Sequence, residues 1–291
     1  MQNNIKKRPL GQTELLLSPL GLGTWQFSKG TGVVGKFWGV LDDQMTEDII
    51  KTSLDGGINW FDTAEVYGGG ESEKILAKAL ENIGASPEDA KIATKWWPMF
   101  RMANSITKTI ETRKQALSNR PIDLYQIHQP YSLSSVENQI KAMVSLVEDG
   151  HIKHVGVSNF NASAMGNSHR ILKDNGQTLA SNQVKYSLLD RRIEENGTLE
   201  RAQELGISII AYSPLEQGLL TGKFHDNPSL IQDAKGPRRL QRKFKEAGLA
   251  ESKPLISLLD AIGEKYNVSA SQVALNWTIH YHGETVFAIP G

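Results

Sequence analysis

Short apolar runs alternate with longer amphipathic segments along this chain. The runs are rich in Ile and Val and are bounded by Gly or polar residues, which is typical of strands buried on both faces of a parallel sheet. The pattern predicts eight strands, at Gly21–Thr24, Asn59–Asp62, Lys91–Lys95, Asp123–His128, His154–Ser158, Ala180–Val184, Ser208–Ser213 and Thr285–Ile289.

The segments between these strands have the apolar spacing of helices. Three of them begin and end at capping residues: Thr46 and Gly56, Ser135 and Gly150, and Thr198 and Gly206. Strands that alternate with helices pair in parallel through right-handed crossovers. Eight such strands favour a closed (β/α)8 TIM barrel over an open doubly wound sheet, although periodicity alone does not prove closure.

Two further features complete the predicted architecture. Arg8–Leu10 and Leu15–Leu17 flank Gly11-Gln12-Thr13, which indicates an N-terminal β-hairpin. Gln26–Gln44 and Leu215–Ser252 are long connections, and loops of this length in a compact domain are usually functional. We expect both loops at the C-terminal face of the barrel, and no linker divides the chain.

Composition narrows the class of protein. Of the 291 residues, Lys and Arg together number 32, as do Asp and Glu, so the net charge is zero and nothing favours a nucleic acid partner. There is no cysteine, hence neither a disulfide nor a thiolate metal site. Met1 to Pro9 is polar and basic, and no run approaches the ~18 apolar residues of a membrane span. We expect a soluble, cytoplasmic protein of a single domain over residues 1–291.

Two nucleotide-binding motifs match by letter only. Gly30 to Gly35 reads G-x-G-x-x-G, but no strand precedes it and no helical pattern follows. The same stretch approaches a P-loop, yet Phe37 stands where a magnesium-binding hydroxyl is required. A glycine-rich loop over a pocket is the simpler interpretation. His280 and His282 are isolated, with no cluster of acidic or thiolate residues nearby, so we predict no metal site.

Four polar residues follow successive predicted strands. Asp62 and Tyr67 come after the second strand, Lys95 ends the third and His128 ends the fourth. In a barrel the strand C-termini gather at one face, so the four side chains converge there. Each alone has an ordinary alternative, such as a helix cap, a packed ring, a solvated strand end or a loop hydrogen bond. Their occurrence together predicts a catalytic group.

The chemistry of these residues fits the reduction of a carbonyl group. Hydride transfer leaves an alkoxide that needs a proton, and a tyrosine hydroxyl can supply it once its pKa near 10 is lowered. A buried lysine ammonium favours the phenolate and lowers that pKa, and an aspartate keeps the lysine charged. A histidine beside them can hold and align the carbonyl oxygen.

The chain resembles the aldo-keto reductase family over essentially its whole length. The resemblance rests on Gly57 to Tyr67 (GINWFDTAEVY), Thr94-Lys95, Asp123–Pro130 (DLYQIHQP), Gly156–Phe160 (GVSNF) and Asn182–Tyr186 (NQVKY). It implies an NADPH-dependent reductase of aldehydes or ketones, with NADH as the alternative cofactor. It also implies Tyr67 as the proton donor, Lys95 and Asp62 as its tuning pair, and His128 as the residue that orients the substrate.

The resemblance implies a cofactor site as well. Ser158, Asn159 and Gln183 would hydrogen-bond the nicotinamide amide, and Tyr212 would stack on its ring. The loop after the seventh strand would wrap the pyrophosphate, with Arg238 and Arg239 as further contacts. The remaining residues that we assign to the cofactor are Gly23, Thr24, Trp25, Asp62, Ser213, Pro214, Leu215, Gln217, Gly218 and Lys223.

The substrate pocket is predicted from aromatic residues at or just beyond strand ends. Besides Tyr67 and His128, these are Trp25, Trp96, Trp97, Phe100 and Tyr131. For each one, packing beneath the long loops is the alternative. The substrate is a small carbonyl compound whose identity, like the oligomeric state, the sequence does not give.

The chain ends at Ile289-Pro290-Gly291, where members of the family normally continue through a helix after the eighth strand. That region usually supplies contacts to the adenosine end, including a cation for the 2′-phosphate. We therefore expect a shortened version of a longer barrel without its last helix, with the preference between NADP and NAD open. Barrels resembling this family also serve as regulatory redox sensors, channel-associated subunits with little turnover, and this is the alternative function.

Overall fold

The sheet has the strand order that the sequence pattern predicts. The computed structural model describes residues 5–31, 39–232 and 236–291. A short antiparallel pair, β1 (Arg8–Pro9) and β2 (Leu16–Leu17), precedes an eight-stranded parallel sheet. The parallel strands are β3 (Leu22–Gly23), β4 (Trp60–Asp62), β5 (Lys91–Trp96), β6 (Leu124–Ile127), β7 (His154–Ser158), β8 (Leu179–Lys185), β9 (Ser208–Tyr212) and β10 (Val286–Ile289).

The first and last parallel strands meet and close the sheet. Leu20 pairs with Ala288 in parallel, and the Gly21 amide donates to the Ala288 carbonyl at 2.9 Å. The Gly23 amide donates to the Pro290 carbonyl at 2.8 Å. The (β/α)8 barrel and the N-terminal hairpin predicted from the sequence are therefore confirmed.

Helices connect the strands. They are α1 (Asp43–Asp55), α2 (Glu71–Asn82), α3 (Asn104–Lys108), α4 (Ile110–Ala116), α5 (Val136–Glu148), α6 (Ala162–Asp174), α7 (Arg192–Glu195), α8 (Thr198–Leu205), α9 (Lys223–Asp226), α10 (Glu246–Tyr266) and α11 (Ala270–His280). Among the described residues, no helix is long and apolar enough to span a membrane.

The start of α1 differs from the prediction. The helix begins at Asp43 because the Asp42 side chain accepts the Met45 amide proton at 2.7 Å, and an aspartate is a strong N-cap. Thr46 lies inside the first turn, with its hydroxyl bonded back to the Asp42 carbonyl at 2.9 Å. The other two predicted starts are close to the structure: Ser135 caps α5, and α8 begins at Thr198 itself.

The barrel interior has an apolar floor and a polar upper layer. The inward side chains of Trp60, Ala93 and Leu124 pack with Leu10 and Leu17 of the hairpin, which covers the N-terminal end. Two residues further along three of the strands, the inward side chains are polar: Asp62, Lys95 and Gln126. Because side chains on a strand alternate between its faces, their neighbours point outward to the helices. The polar layer therefore lies at the C-terminal mouth.

The predicted long connections are shorter or more structured than expected. The second ends where α10 begins, at Glu246 rather than beyond Ser252, and it contains α9 and several 3-10 turns. In the first, a 3-10 turn at Trp25–Ser28 follows β3 directly. Most of the G-x-G-x-x-G match, together with Phe37, lies outside the described residues.

Candidate active site

A cavity of about 490 Å³ lies at the C-terminal mouth of the barrel. Asp62, Tyr67 and His128, three of the four predicted catalytic residues, line it. Lys95 lies beneath them, fully buried. The remaining lining residues are Gly23, Thr24, Trp25, Gln26, Val66, Gln129, Ser158, Asn159, Gln183, Lys185, Tyr212, Ser213, Pro214, Leu215, Gln217, Gly218, Thr221, Lys223, Arg238, Ile289, Pro290 and Gly291.

Asp62 and Lys95 form a buried ion pair inside the barrel. Lys95 Nζ donates to Asp62 Oδ1 and, at 2.9 Å, to the Thr63 carbonyl. The second carboxylate oxygen, Oδ2, accepts from Gln183 at 2.9 Å and from Gln126 at 3.2 Å. A buried charge is tolerated only when it is paired and hydrogen-bonded, and both conditions are met here. Lys95 and Asp62 are thus fixed in one arrangement.

Tyr67 stands directly above this pair. Its hydroxyl lies 3.5 Å from Lys95 Nζ. The Tyr67 ring stacks on Trp25, with ring centroids 5.9 Å apart, and meets the His128 ring edge-on at 5.7 Å. The Tyr67 amide is bonded to the Ala64 carbonyl in a tight turn that follows β4. Tyr67 is therefore held in place by the rings of Trp25 and His128 and by its own backbone hydrogen bond.

His128 is uncharged in this setting. Burial lowers its pKa well below the ordinary value, and the nearby Lys95 ammonium lowers it further. The ring meets Trp97 edge-on at 5.2 Å, and Nδ1 is buried without a hydrogen-bond partner among the described residues. A neutral imidazole facing the cavity can donate one hydrogen bond to a ligand oxygen.

The pKa of Tyr67 departs from the prediction. Burial raises the pKa of the Tyr67 hydroxyl, and the Lys95 ammonium draws it down without cancelling the effect of burial. Burial also lowers the pKa of Lys95, but the charges of Asp62 and Tyr67 outweigh this and leave that pKa above its ordinary value. Lys95 therefore acts on Tyr67 in the predicted direction, but the net shift is upward because the enclosed hydroxyl is desolvated.

One wall of the cavity is formed by β7, β8 and β9. Tyr212 donates its hydroxyl proton to Asn159 Oδ1 at 3.1 Å, and Asn159 Nδ2 donates to the Ser158 hydroxyl at 3.0 Å. Asn159 has a φ of 61°, which lies in the left-handed region. Gln183 faces the cavity but donates its amide to Asp62. The Asn159 amide also donates to the Gln183 carbonyl at 2.9 Å, so these four predicted cofactor residues share one wall and are linked by hydrogen bonds.

The loop after β9 folds over the cavity from the same side. Ser213, Gln217 and Gly218 all have positive φ, which makes the turn tight. Glu216 is buried beneath it, paired with Lys185 at 2.6 Å and with Lys243. Lys223 and Arg238 line the cavity, and Arg238 donates to the Gln217 carbonyl at 3.4 Å. Arg239 is exposed and does not line the cavity.

Four of the aromatic residues predicted for the substrate pocket do not line this cavity. Trp96 is fully buried on the outer face of β5 because it follows Lys95, whose side chain points inward. Phe100 is 85% exposed and Tyr131 is 69% exposed, so neither is enclosed by the cavity. Trp97 is half-buried, and its ring contacts the His128 ring at the border of the site.

Some residues of the site lie within the family motifs but were given no role from the sequence. Gln126 and the Thr63 carbonyl bind the Asp62–Lys95 pair, and Lys185 lines the cavity beside Glu216. Gln126 lies two residues before His128, in register with Lys95 of the neighbouring strand β5 and on the same face. Strand alternation was the signal that could have found it. Lys185 continues an inward register at the end of β8 in the same way.

Comparison with known proteins agrees with this geometry. A model of the aldo/keto reductase family matches residues 19–291. An oxidoreductase of Mycobacterium tuberculosis is 35% identical over 94% of this chain and 80% of its own length. The aldo-keto reductase YhdN of Bacillus subtilis is 30% identical over 95% of this chain and 82% of its own. The solved glycerol dehydrogenase of Gluconobacter oxydans superposes with a TM-score of 0.83 at 29% identity, covering 98% of this chain and 86% of that one.

This chain belongs to the aldo/keto reductase family. It is an oxidoreductase of that family, whose general chemistry is the reduction of carbonyl groups with a nicotinamide cofactor.

Proposed function

We propose that this protein reduces aldehydes or ketones to alcohols with NADPH as the hydride source and Tyr67 as the proton donor. The observation that carries the proposal is the placement of the Tyr67 hydroxyl between Lys95 and His128 at the base of the cavity. A hydroxyl, a buried ammonium and a neutral imidazole around one enclosed space supply a proton and a hydrogen-bond donor to a carbonyl oxygen.

Tyr67 gives its proton to the oxygen of the substrate as negative charge develops there. A tyrosine hydroxyl is protonated at neutral pH, and burial, which raises the pKa of Tyr67, keeps it so. The Lys95 ammonium, 3.5 Å away, stabilises the phenolate that remains. Asp62 holds Lys95 Nζ in place, so that this charge needs no reorganisation during the reaction.

His128 holds the substrate oxygen beside Tyr67. Its lowered pKa keeps the imidazole neutral, so it orients the carbonyl by a hydrogen bond without repelling Lys95. The perpendicular contacts with Tyr67 and Trp97 fix the plane of its ring. Trp25 stacks on the Tyr67 ring and lines the cavity beside it.

The remaining lining residues fit a nicotinamide dinucleotide. When bound, the reduced nicotinamide supplies the hydride to the carbonyl carbon. Ser158, Asn159 and Gln183 present hydroxyl and amide groups suited to a carboxamide, and Tyr212 presents a ring suited to stacking. Gln217 Oε1 is buried without a hydrogen-bond partner among the described residues, and such an atom calls for a ligand donor.

The loop after β9 suits the pyrophosphate. Gly218 has a φ of 92°, in the left-handed region that favours glycine, so this residue lets the chain turn tightly at the edge of the cavity. Lys223 and Arg238 add positive charge along the same edge of the cavity. NADH stays the alternative to NADPH, since none of the described residues at this edge discriminates between them.

Steady-state oxidation of NADPH with a panel of small aldehydes and ketones tests the proposal. Enzymes typically turn over at about 1–1000 s⁻¹, and we expect at least one substrate in that range. Turnover below about 10⁻³ s⁻¹ on every carbonyl, together with tight NADPH binding, would instead indicate a redox sensor. NADH assayed alongside gives the cofactor preference.

A further inference from the structure

A second group of charges lies behind the catalytic residues, on the outer face of β5. Its members are Glu65, Glu73, Arg101 and Arg113, and none of them lines the cavity. The side chain of Glu65 is only 10% exposed. In the sequence it stands between Asp62 and Tyr67, on the turn that carries the proton donor. A buried charge at this position needs an explanation that the proposed chemistry alone does not give.

Glu65 joins the turn that carries Tyr67 to the segment after β5. Its Oε1 atom accepts hydrogen bonds from the Trp97 amide and from Arg101 Nη1. Its own amide donates to the Lys95 carbonyl at 3.3 Å. A carboxylate that accepts from a backbone amide and a guanidinium makes short, strong, directional bonds. Glu65 therefore joins the turn that follows β4 to the segment that follows β5 and acts as a clamp between them. Along the chain, α2 and β5 separate these two segments.

Arg101 is fixed from several sides, which makes the clamp rigid. It donates to the Trp97 carbonyl at 3.1 Å, to the Ser105 hydroxyl at 3.1 Å and to the Thr109 hydroxyl at 3.0 Å. Its guanidinium also lies over the Trp96 ring, 5.3 Å from the centroid. An arginine whose donors are satisfied in this way has little freedom to follow Glu65 if that loop moves.

Arg113 and Glu73 support the clamp from behind. Arg113 Nε lies 3.8 Å from Glu65 Oε2, while its Nη1 donates to Glu73. Glu73 in turn accepts the Thr94 hydroxyl proton at 2.7 Å, one residue before Lys95. Acidic and basic side chains thus alternate, and the burial of Glu65 is compensated by two guanidinium groups.

The two loops that Glu65 joins carry Tyr67 and Trp97, whose rings both contact His128. The Tyr67 ring approaches the His128 ring at 5.7 Å, and the Trp97 ring approaches it at 5.2 Å. We infer that Glu65 is a positioning residue, whose bonds to Trp97 and Arg101 fix the gap between the Tyr67 hydroxyl and the His128 imidazole. The inference rests on the proposed function, because that gap is where the carbonyl oxygen is held.

The variant Glu65→Gln tests this role, with Glu71→Gln as a matched control. Glu71 is a nearby glutamate whose side chain is 36% exposed and pairs only with Lys74 of its own helix among the contacts described. A displacement of ~1 Å can cost about 100-fold in rate, so we expect Glu65→Gln to lower kcat by about 10- to 100-fold. The NADPH Kd and the midpoint of the pH profile of kcat should not change. Glu71→Gln should match the wild type throughout.

Amide hydrogen exchange at Trp97 in the ligand-free protein gives a readout that needs no turnover. Loss of the charged acceptor should speed exchange of this amide about tenfold in Glu65→Gln and leave it unchanged in Glu71→Gln. Rates of turnover are expressed per NADPH-binding site, so that a partly unfolded preparation does not imitate a loss of kcat. If Glu65→Gln does not fold, Arg101→Met tests the clamp from its other end and should lower kcat with an unchanged NADPH Kd.

Failure of this inference is distinct from failure of the proposed function. A wild-type protein without turnover on any carbonyl overturns the function, and the Trp97 exchange rate then decides whether the clamp exists. The positioning role alone is overturned if Tyr67→Phe is inactive while Glu65→Gln keeps the wild-type kcat. Arg101→Met is judged in the same way where it replaces Glu65→Gln. A shifted pH midpoint in Glu65→Gln also overturns it, because Glu65 would then act on the proton donor through its charge rather than by holding the two loops in place.

Discussion

The Nζ atom of Lys95 lies 3.5 Å from the hydroxyl oxygen of Tyr67 and forms an ion pair with Asp62, and Lys95 is completely buried. The ammonium therefore acts on the hydroxyl through a medium with little water, where a charge of this kind has its largest effect. Burial alone would make Tyr67 a weak acid, and Lys95 offsets part of that cost. This relationship gives the first prediction.

Lys95→Met should lower the rate of carbonyl reduction and move its fall at alkaline pH to higher pH. Reduction requires the protonated form of Tyr67, so the rate falls as pH rises through the Tyr67 pKa. Without the ammonium that pKa rises, so the hydroxyl stays protonated to higher pH but is a poorer acid. The pH profile of kcat measures both effects. Lys91→Met, at the other end of β5, should keep the wild-type profile; an unshifted profile in Lys95→Met would remove Lys95 from this role.

Tyr212 should contribute to cofactor affinity through its ring rather than its hydroxyl. Tyr212→Ala should weaken NADPH binding by about 1 kcal/mol or somewhat more, which is about five- to tenfold in Kd, on the scale of aromatic stacking. Tyr212→Phe keeps the ring and loses only the bond to Asn159, so its Kd should stay closer to that of the wild type. Quenching of protein fluorescence by NADPH measures both constants. Equal losses in the two variants would show that the hydroxyl, not the stacking, matters.

Trp96 and Trp97 should have opposite phenotypes. Trp96 is fully buried among the outer core residues, and truncating a buried tryptophan costs about 3–5 kcal/mol of stability, so Trp96→Ala should lose stability first. Trp97→Ala should keep most of the stability and change the KM of carbonyl substrates, because its ring borders His128. Denaturant unfolding and steady-state kinetics on both variants separate the effects. A KM change confined to Trp96→Ala would show that Trp96, not Trp97, borders the substrate.

These adjacent tryptophans show where the sequence suffices and where it does not. The Ile- and Val-rich runs predicted all eight strands, and Asp62, Lys95 and His128 stand at the strand ends that the barrel brings together. Placing Trp96 in the pocket was wrong although the signal was available, since it follows an inward-facing lysine on a strand. The start of α1 was missed because Asp42 is a better cap than Thr46.

The charges around Glu65 could not be predicted in the same way. Glu65 and Arg101 are 36 positions apart, and Glu73 and Arg113 are 40 apart. No local spacing links them, and their pairing depends on how α2, α3 and α4 pack against the outside of β5. Single charged residues in such segments are also usual on solvated helix faces. Only the packed structure distinguishes these side chains from surface charges.

Glu73 should make stability depend on pH near neutrality. Burial raises its pKa to about 7, against the opposing effect of Arg113. An acid with a higher pKa in the folded state binds its proton more tightly when folded, so its contribution to stability is present below the unfolded pKa near 4.5 and is lost as pH rises to about 7. At about 1.4 kcal/mol per pKa unit, the loss amounts to about 3 kcal/mol.

The variant Glu73→Gln isolates this effect. Its free energy of unfolding, measured by denaturant titration between pH 5 and pH 8, should lack the fall attributed to Glu73. The wild type should therefore lose stability relative to Glu73→Gln as pH rises. A pH-independent difference between the two proteins would show that Glu73 stays ionised throughout this range.

The kcat and the NADPH Kd of Tyr67→Phe, measured together with the best carbonyl substrate, test the central claim most directly. The variant keeps the ring that stacks on Trp25 and meets His128, and it loses only the hydroxyl beside Lys95. General acid catalysis contributes about 10²- to 10⁴-fold, so kcat should fall by a factor in that range while the NADPH Kd stays at the wild-type value. A kcat that remains above about half of the wild-type rate would contradict Tyr67 as the proton donor.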